Sequence, residues 1–126
     1  MNAATKPRLL VVDDALIMRA MIKDVARHAG WEIAGEAATG AEAVARYREL
    51  KPDLVTLDIV MPEMDGVEAL RTIRAEDPAA RVVMVSAIDQ RAKLTECIQL
   101  GARDFVVKPF DRQALGSLFQ NLIPHA

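Results

Sequence analysis

The sequence predicts an α/β fold, a doubly wound sheet of five parallel strands covered by five helices. Two observations carry that expectation. Short apolar runs at 9–12, 54–57, 82–85 and 105–107 are too brief for helices and rich in aliphatic and β-branched residues, as strands buried on both faces require. Between them lie amphipathic stretches with helix start and stop signals, so strand and helix alternate along the chain.

The run 9–12 leads to a helix over 15–29, with Leu16, Ile17, Met21, Ile22 and Val25 on one stripe, Asp14 placed to cap it and Gly30 placed to stop it. The stretch 31–37 alternates, with Trp31, Ile33 and Ala37 on one face and Glu32 and Glu36 on the other, and is expected at a sheet edge. Thr39 and Glu42 have capping-box spacing for a second helix that closes before Pro52. After the run 54–57, Asp65 and Glu68 repeat that spacing for a third helix, which Pro78 ends. Asp89 and Gly101 bracket a fourth helix after the run 82–85. Beyond 105–107, Asp111 opens a fifth that extends to about Ile123, ahead of Pro124. Units of roughly 25 residues fit parallel strands joined by crossover helices, and they account for 1–126 as a single domain. Periodicity does not set the strand order.

Composition removes several functions. Lys and Arg number 16 against 18 Asp and Glu, so the formal charge is −2, and nucleic acid and anionic membrane are not expected partners. One cysteine, Cys97, and two histidines, His28 and His125, provide neither an internal disulfide nor a zinc cluster. No apolar run approaches the ~20 residues of a membrane span, and the first eight residues lack a signal-peptide core, so a cytoplasmic protein is expected. Gly35 and Gly40 have the spacing of phosphate-loop glycines, but Ala41-Glu42 stands where Lys and Ser or Thr are needed.

The chemistry lies at the strand ends. Asp13 and Asp14 follow the first apolar run, Asp58 the third strand, Ser86 the fourth and Lys108 the fifth, along the edge where open parallel sheets bind ligands. Three clustered carboxylates must take up protons or bind a cation, and oxygen-only donors point to Mg²⁺. Three Asp and one Lys sum to −2, which one divalent ion neutralises. The set suits phosphoryl transfer, with a carboxylate attacking phosphorus and an amine and a hydroxyl on the phosphoryl oxygens.

These residues resemble a known family. The segments Val12-Asp13-Asp14, Leu57-Asp58, Met61-Pro62-Glu63-Met64-Asp65-Gly66, Ser86-Ala87 and Asp104-Phe105-Val106-Val107-Lys108-Pro109-Phe110 together resemble the receiver domains of two-component response regulators, most closely the stand-alone CheY-type chemotaxis regulators. The resemblance implies the flavodoxin-like strand order 2-1-3-4-5. It implies that Asp58 accepts phosphoryl from a histidine kinase, and that Asp14, Asp58 and the Val60 backbone carbonyl hold Mg²⁺, with Asp13 assisting through water. Ser86 and Lys108 would contact the phosphoryl oxygens. Ser86 and Phe105 would form the switch that alters the face of the fourth helix, fifth strand and fifth helix for a downstream protein, a flagellar switch component in the chemotaxis case. Val60 and Ile88 would flank the path of attacking water. The regulator is expected to be a monomer without an output domain, a switch rather than an enzyme, and reliant for dephosphorylation on either an external phosphatase or reverse transfer to the kinase. The alternatives are a phosphorelay receiver, the receiver part of a larger regulator, and a small Mg²⁺-dependent phosphatase.

Overall fold

The computed structural model describes residues 6–87 and 89–124. Five strands, β1 (Arg8–Val12), β2 (Glu32–Ala37), β3 (Leu54–Asp58), β4 (Val82–Ala87) and β5 (Asp104–Lys108), alternate with five helices, α1 (Leu16–His28), α2 (Gly40–Leu50), α3 (Gly66–Glu76), α4 (Arg91–Gln99) and α5 (Arg112–Asn121). The strands are all parallel in the order β2-β1-β3-β4-β5, as the resemblance implied.

Strand pleating divides the core between the two faces. Leu10, Val12, Val55, Leu57, Val82 and Met84 pack on one side with Val44, Leu70, Ile73 and Leu94, while Leu9, Val11, Leu54 and Val83 pack on the other with Ile22, Val25 and Phe119. Successive residues face opposite ways. Helices α2, α3 and α4 therefore cover one face and α1 and α5 the other. Trp31 is buried against the second layer, its indole N–H donating to the Phe119 carbonyl at 2.9 Å.

Several local expectations change, three of them in β2 and α1. Along β2 the register slips, so that Leu9 pairs with Ile33 but Leu10 pairs with Gly35, leaving Ala34 as a bulge. A bulge reverses the facing of the residues beyond it. Trp31 and Ile33 accordingly pack with the α1 and α5 layer while Ala37 packs with the opposite layer, and Glu36, opposite Val11, comes round to the α1 side. In α1, Leu16 and Ile17 do not join the core: they are 70% and 74% exposed, because the first turn starts past the end of β1, and the buried face is Ile22, Val25 and Ala26. Asp14 does not cap this helix. Its N-cap is Ala15, with no side-chain bond, and Asp13 Oδ1 accepts the Ala15 N–H at 2.9 Å instead.

The other helix starts are built as expected from short polar side chains. Thr39 Oγ1 accepts from Glu42 N at 3.0 Å and Asp65 Oδ1 from Glu68 N at 3.0 Å, while Asp111 Oδ1 accepts from Gln113 N. The exception is α4, which begins one residue after Gln90 with no side-chain cap, so Asp89 does not serve. Gly30 and Gly101, at φ of about +100, end α1 and α4 in the left-handed region. Helix α5 ends at Asn121, slightly before the expected Ile123.

Candidate functional site

The four strands β1, β3, β4 and β5 end side by side, and each delivers at least one polar group to the same sheet edge. Asp13 and Asp14 follow β1, Asp58 closes β3, Ser86 is next to last in β4 and Lys108 closes β5. Carboxylate oxygens of Asp13, Asp14 and Asp58 lie within 4.8 Å of one another. Asp13, Asp58 and Ser86 are buried, and Asp14 is exposed. Lys108 reaches back across the sheet, its Nζ 2.8 Å from Asp13 Oδ2 and 3.2 Å from Asp58 Oδ2.

The electrostatics reflect burial and crowding. Burial raises the Asp58 carboxyl above its ordinary value and the Asp13 charge adds to this, while Lys108 pulls in the opposite direction without prevailing. Burial alone would depress the Lys108 amine, yet the hydrogen bond to Asp13 and the charge of Asp58 hold it above its usual value. The pocket is thus an excess of negative charge only partly countered by one ammonium.

Two features indicate what this pocket would take. Ser86 Oγ is buried and has no hydrogen-bond partner among the described residues, which is uncommon for a buried hydroxyl. All the candidate ligands offer oxygen, the donor set of a hard divalent cation. Asp13 has both carboxylate oxygens engaged, Oδ1 by the Ala15 amide and Oδ2 by Lys108, whereas Asp14 sits at the open mouth.

The remaining expected residues lie around the pocket. Val60 is two residues beyond Asp58 in the β3–α3 loop and its side chain is 55% exposed. This loop passes through left-handed backbone at Glu63 and Met64 and is tied to the start of α2, where the Gly40 and Ala41 amides donate to the Met64 and Glu63 carbonyls. Ile88 lies outside the described residues. Phe105 points outward, 44% exposed, into a groove of about 440 Å³ lined by Arg91, Leu94, Thr95, Ile98 and Val107. The Lys108-Pro109 peptide is cis.

Arg19 and Glu36, which stand directly behind Asp13, were not expected from the sequence. A basic residue one turn into a helix carries no signal by itself, and nothing in the sequence marks the β2 bulge that brings Glu36 to meet it.

An α/β edge with these groups defines a class, and the class has a family. The model of the response regulator receiver domain matches residues 9–120, and the chain belongs to that family, whose members bind Mg²⁺ at such an acidic pocket. The chain is homologous to CheY chemotaxis response regulators, which are signalling switches. It is 54% identical to the chemotaxis protein CheY of Thermotoga maritima over 103 residues, 82% of this chain and 86% of that one. It is 53% identical to CheY of Bacillus subtilis, over 82% of this chain and 86% of that one. Among solved structures it resembles CheY in the Borrelia burgdorferi CheX-CheY-BeF3-Mg complex, at 36% identity and a TM-score of 0.86, covering 91% of this chain and 87% of that one.

Proposed function

We propose that this chain is a two-component response regulator, phosphorylated on Asp58 by a histidine kinase and thereby switched to bind a protein target. The observation that carries this is the Lys108 ammonium bridging Asp13 and Asp58 in a pocket where a buried Ser86 hydroxyl has no partner among the described residues. An Asp58 oxygen attacks phosphorus and the phosphorus–nitrogen bond to the donor imidazole breaks, the electron pair returning to that nitrogen. Lys108 counters charge on the phosphoryl oxygens and Ser86 Oγ donates to one of them. Asp14, Asp58 and the Val60 carbonyl would hold Mg²⁺, which would supply further charge neutralisation. Asp13 has both oxygens already committed and would assist the ion through water.

Drawing Ser86 toward the phosphoryl group opens space for Phe105 to turn inward from its exposed position, remodelling the α4, β5 and α5 face on which the target docks. The relatives are chemotaxis proteins, which favours a flagellar switch component as that target; we read the regulator as a cytoplasmic monomer in which 1–126 forms one receiver domain. Among the described residues no helix is long and apolar enough to cross a membrane. Leu16 and Ile17, soon after Asp14, and Val60, soon after Asp58, present exposed apolar surface that suits a protein phosphodonor or phosphatase. The test is incubation with Mg²⁺ and acetyl phosphate, then with p-nitrophenyl phosphate. Stoichiometric modification without turnover is expected; sustained release of p-nitrophenol would make the protein a phosphatase.

The ligand set and the hydrolysis path can be probed by substitution. Asp14→Ala should weaken Mg²⁺ binding at least tenfold, on the order of 1.4 kcal/mol. Asp65→Ala, which removes the α3 cap, should leave that affinity alone and cost about 1 kcal/mol of stability. Equal Mg²⁺ titrations of the two variants would contradict the ligand set. The apolar, β-branched Val60 cannot orient a water, so Val60→Asn should shorten the life of the phosphorylated form by about threefold or more. Decay is read as loss of label in excess Mg²⁺ after the donor is removed, and an unchanged rate would show that this side chain does not govern it.

A further inference from the structure

We propose that Arg19 is a positioning residue for the acidic pocket, fixing through the Asp13 carbonyl the turn that presents Asp14. The inference rests on the reading of Asp14 as a metal ligand. Arg19 lies one turn into α1 with its side chain 15% exposed, and its guanidinium makes two bonds at once: Nη1 to the Asp13 carbonyl at 2.7 Å and Nε to Glu36 Oε1 at 3.0 Å. Lys23, one turn further, donates to Glu36 Oε2 at 2.9 Å, so Glu36 is held from two sides.

The clamp acts on the backbone that matters. The peptide between Asp13 and Asp14 is planar, so fixing its carbonyl fixes the direction in which the Asp14 Cα leaves the strand. Asp13 is then held at every polar atom: its amide donates to the Ala37 carbonyl at 3.1 Å, its carbonyl accepts from Arg19, Oδ1 accepts from Ala15 and Oδ2 from Lys108. Asp14 itself is exposed, and its placement depends on this anchored neighbour. The bulge at Ala34 completes the device, because it turns Glu36 to the α1 face where Arg19 can meet it. Glu36 is shared between Arg19 and Lys23, so a variant that keeps the Arg19 charge and changes only its geometry separates positioning from charge.

Lysine at this position keeps the charge but lacks the planar fork that spans both acceptors. The test is Mg²⁺ titration by calorimetry, with thermal unfolding in parallel, on wild type, Arg19→Lys, Glu36→Gln and Asp65→Ala. Arg19→Lys is expected to raise the Mg²⁺ dissociation constant about three- to tenfold, and Glu36→Gln to raise it in the same direction by less. Asp65→Ala, destabilised by an unrelated lost cap, should stay within about twofold of wild type. At saturating Mg²⁺ the Arg19→Lys protein should regain the wild-type rate of labelling by acetyl phosphate, since the attacking and phosphoryl-binding groups are untouched. Wild-type affinity in Arg19→Lys, or an equal loss in Asp65→Ala, would overturn the positioning role. Absence of Mg²⁺ binding in the wild-type protein would instead overturn the proposed function on which it rests.

Discussion

Asp58→Asn should abolish labelling by acetyl phosphate while leaving the chain folded. Asp58 is the carboxylate that closes β3, and it faces Lys108 across 3.2 Å, where incoming phosphoryl oxygens would meet the ammonium. Asparagine keeps the shape but offers no anionic oxygen to attack. The change should also affect stability, with a sign set by the raised Asp58 carboxyl. Because burial and Asp13 make ionisation harder in the folded chain than in the unfolded one, ionised Asp58 costs stability at pH values above its folded pKa. That cost is absent below the unfolded value. Without Mg²⁺, Asp58→Asn should therefore melt at or above the wild-type temperature at neutral pH, and the gain should vanish as the pH falls below the ordinary carboxylate range. Labelling of the variant equal to wild type would move the acceptor elsewhere.

The largest loss of stability is expected from Gly66→Ala. Gly66 opens α3 beneath the β3–α3 loop, and its N–H donates to the Ile59 carbonyl at 2.6 Å. A methyl there would collide with the Asp58 carbonyl oxygen and stand 2.8 Å from the Ile59 Cα, both backbone atoms that cannot swing aside. Overpacking against main chain that cannot yield should cost about 3 kcal/mol, the upper end for such changes. Gly116 provides the contrast. It sits within α5, where an added Cβ would meet only Val25 Cγ1 at 3.7 Å, an ordinary contact. Gly116→Ala should be neutral or stabilise by about 0.5 to 1 kcal/mol through helix propensity. Urea unfolding of both variants distinguishes them; a loss under about 1 kcal/mol for Gly66→Ala would mean that the loop yields more readily than its packing indicates.

What the sequence revealed and what it hid have physical reasons. Strands such as Leu54–Asp58 and Val82–Ala87 are buried on both faces, and unbroken apolar runs announce that directly. The acids, hydroxyl and amine were legible because each interrupts or ends such a run. Thr39, Asp65 and Asp111 were legible because capping is a local affair of two or three residues. Features that depend on distant chain were not. The β2 bulge exists only in register with β1, so the faces of Ala37 and Glu36 were misassigned from alternation alone. The exposure of Leu16 and Ile17 reflects where α1 begins relative to the sheet, which a helical stripe cannot express. Strand order came from family resemblance, since crossover direction leaves no periodic trace in the chain.

Everything proposed for the switch depends on the phosphoryl group residing on the carboxylate of Asp58. The decisive experiment is reduction of the acetyl phosphate-treated, Mg²⁺-containing protein with borohydride, which converts an aspartyl phosphate to homoserine, and then peptide sequencing by mass spectrometry. The expected result is homoserine at position 58 alone, dependent on Mg²⁺. Homoserine at Asp13 or Asp14, or an unmodified chain under conditions that label a control receiver, would contradict it.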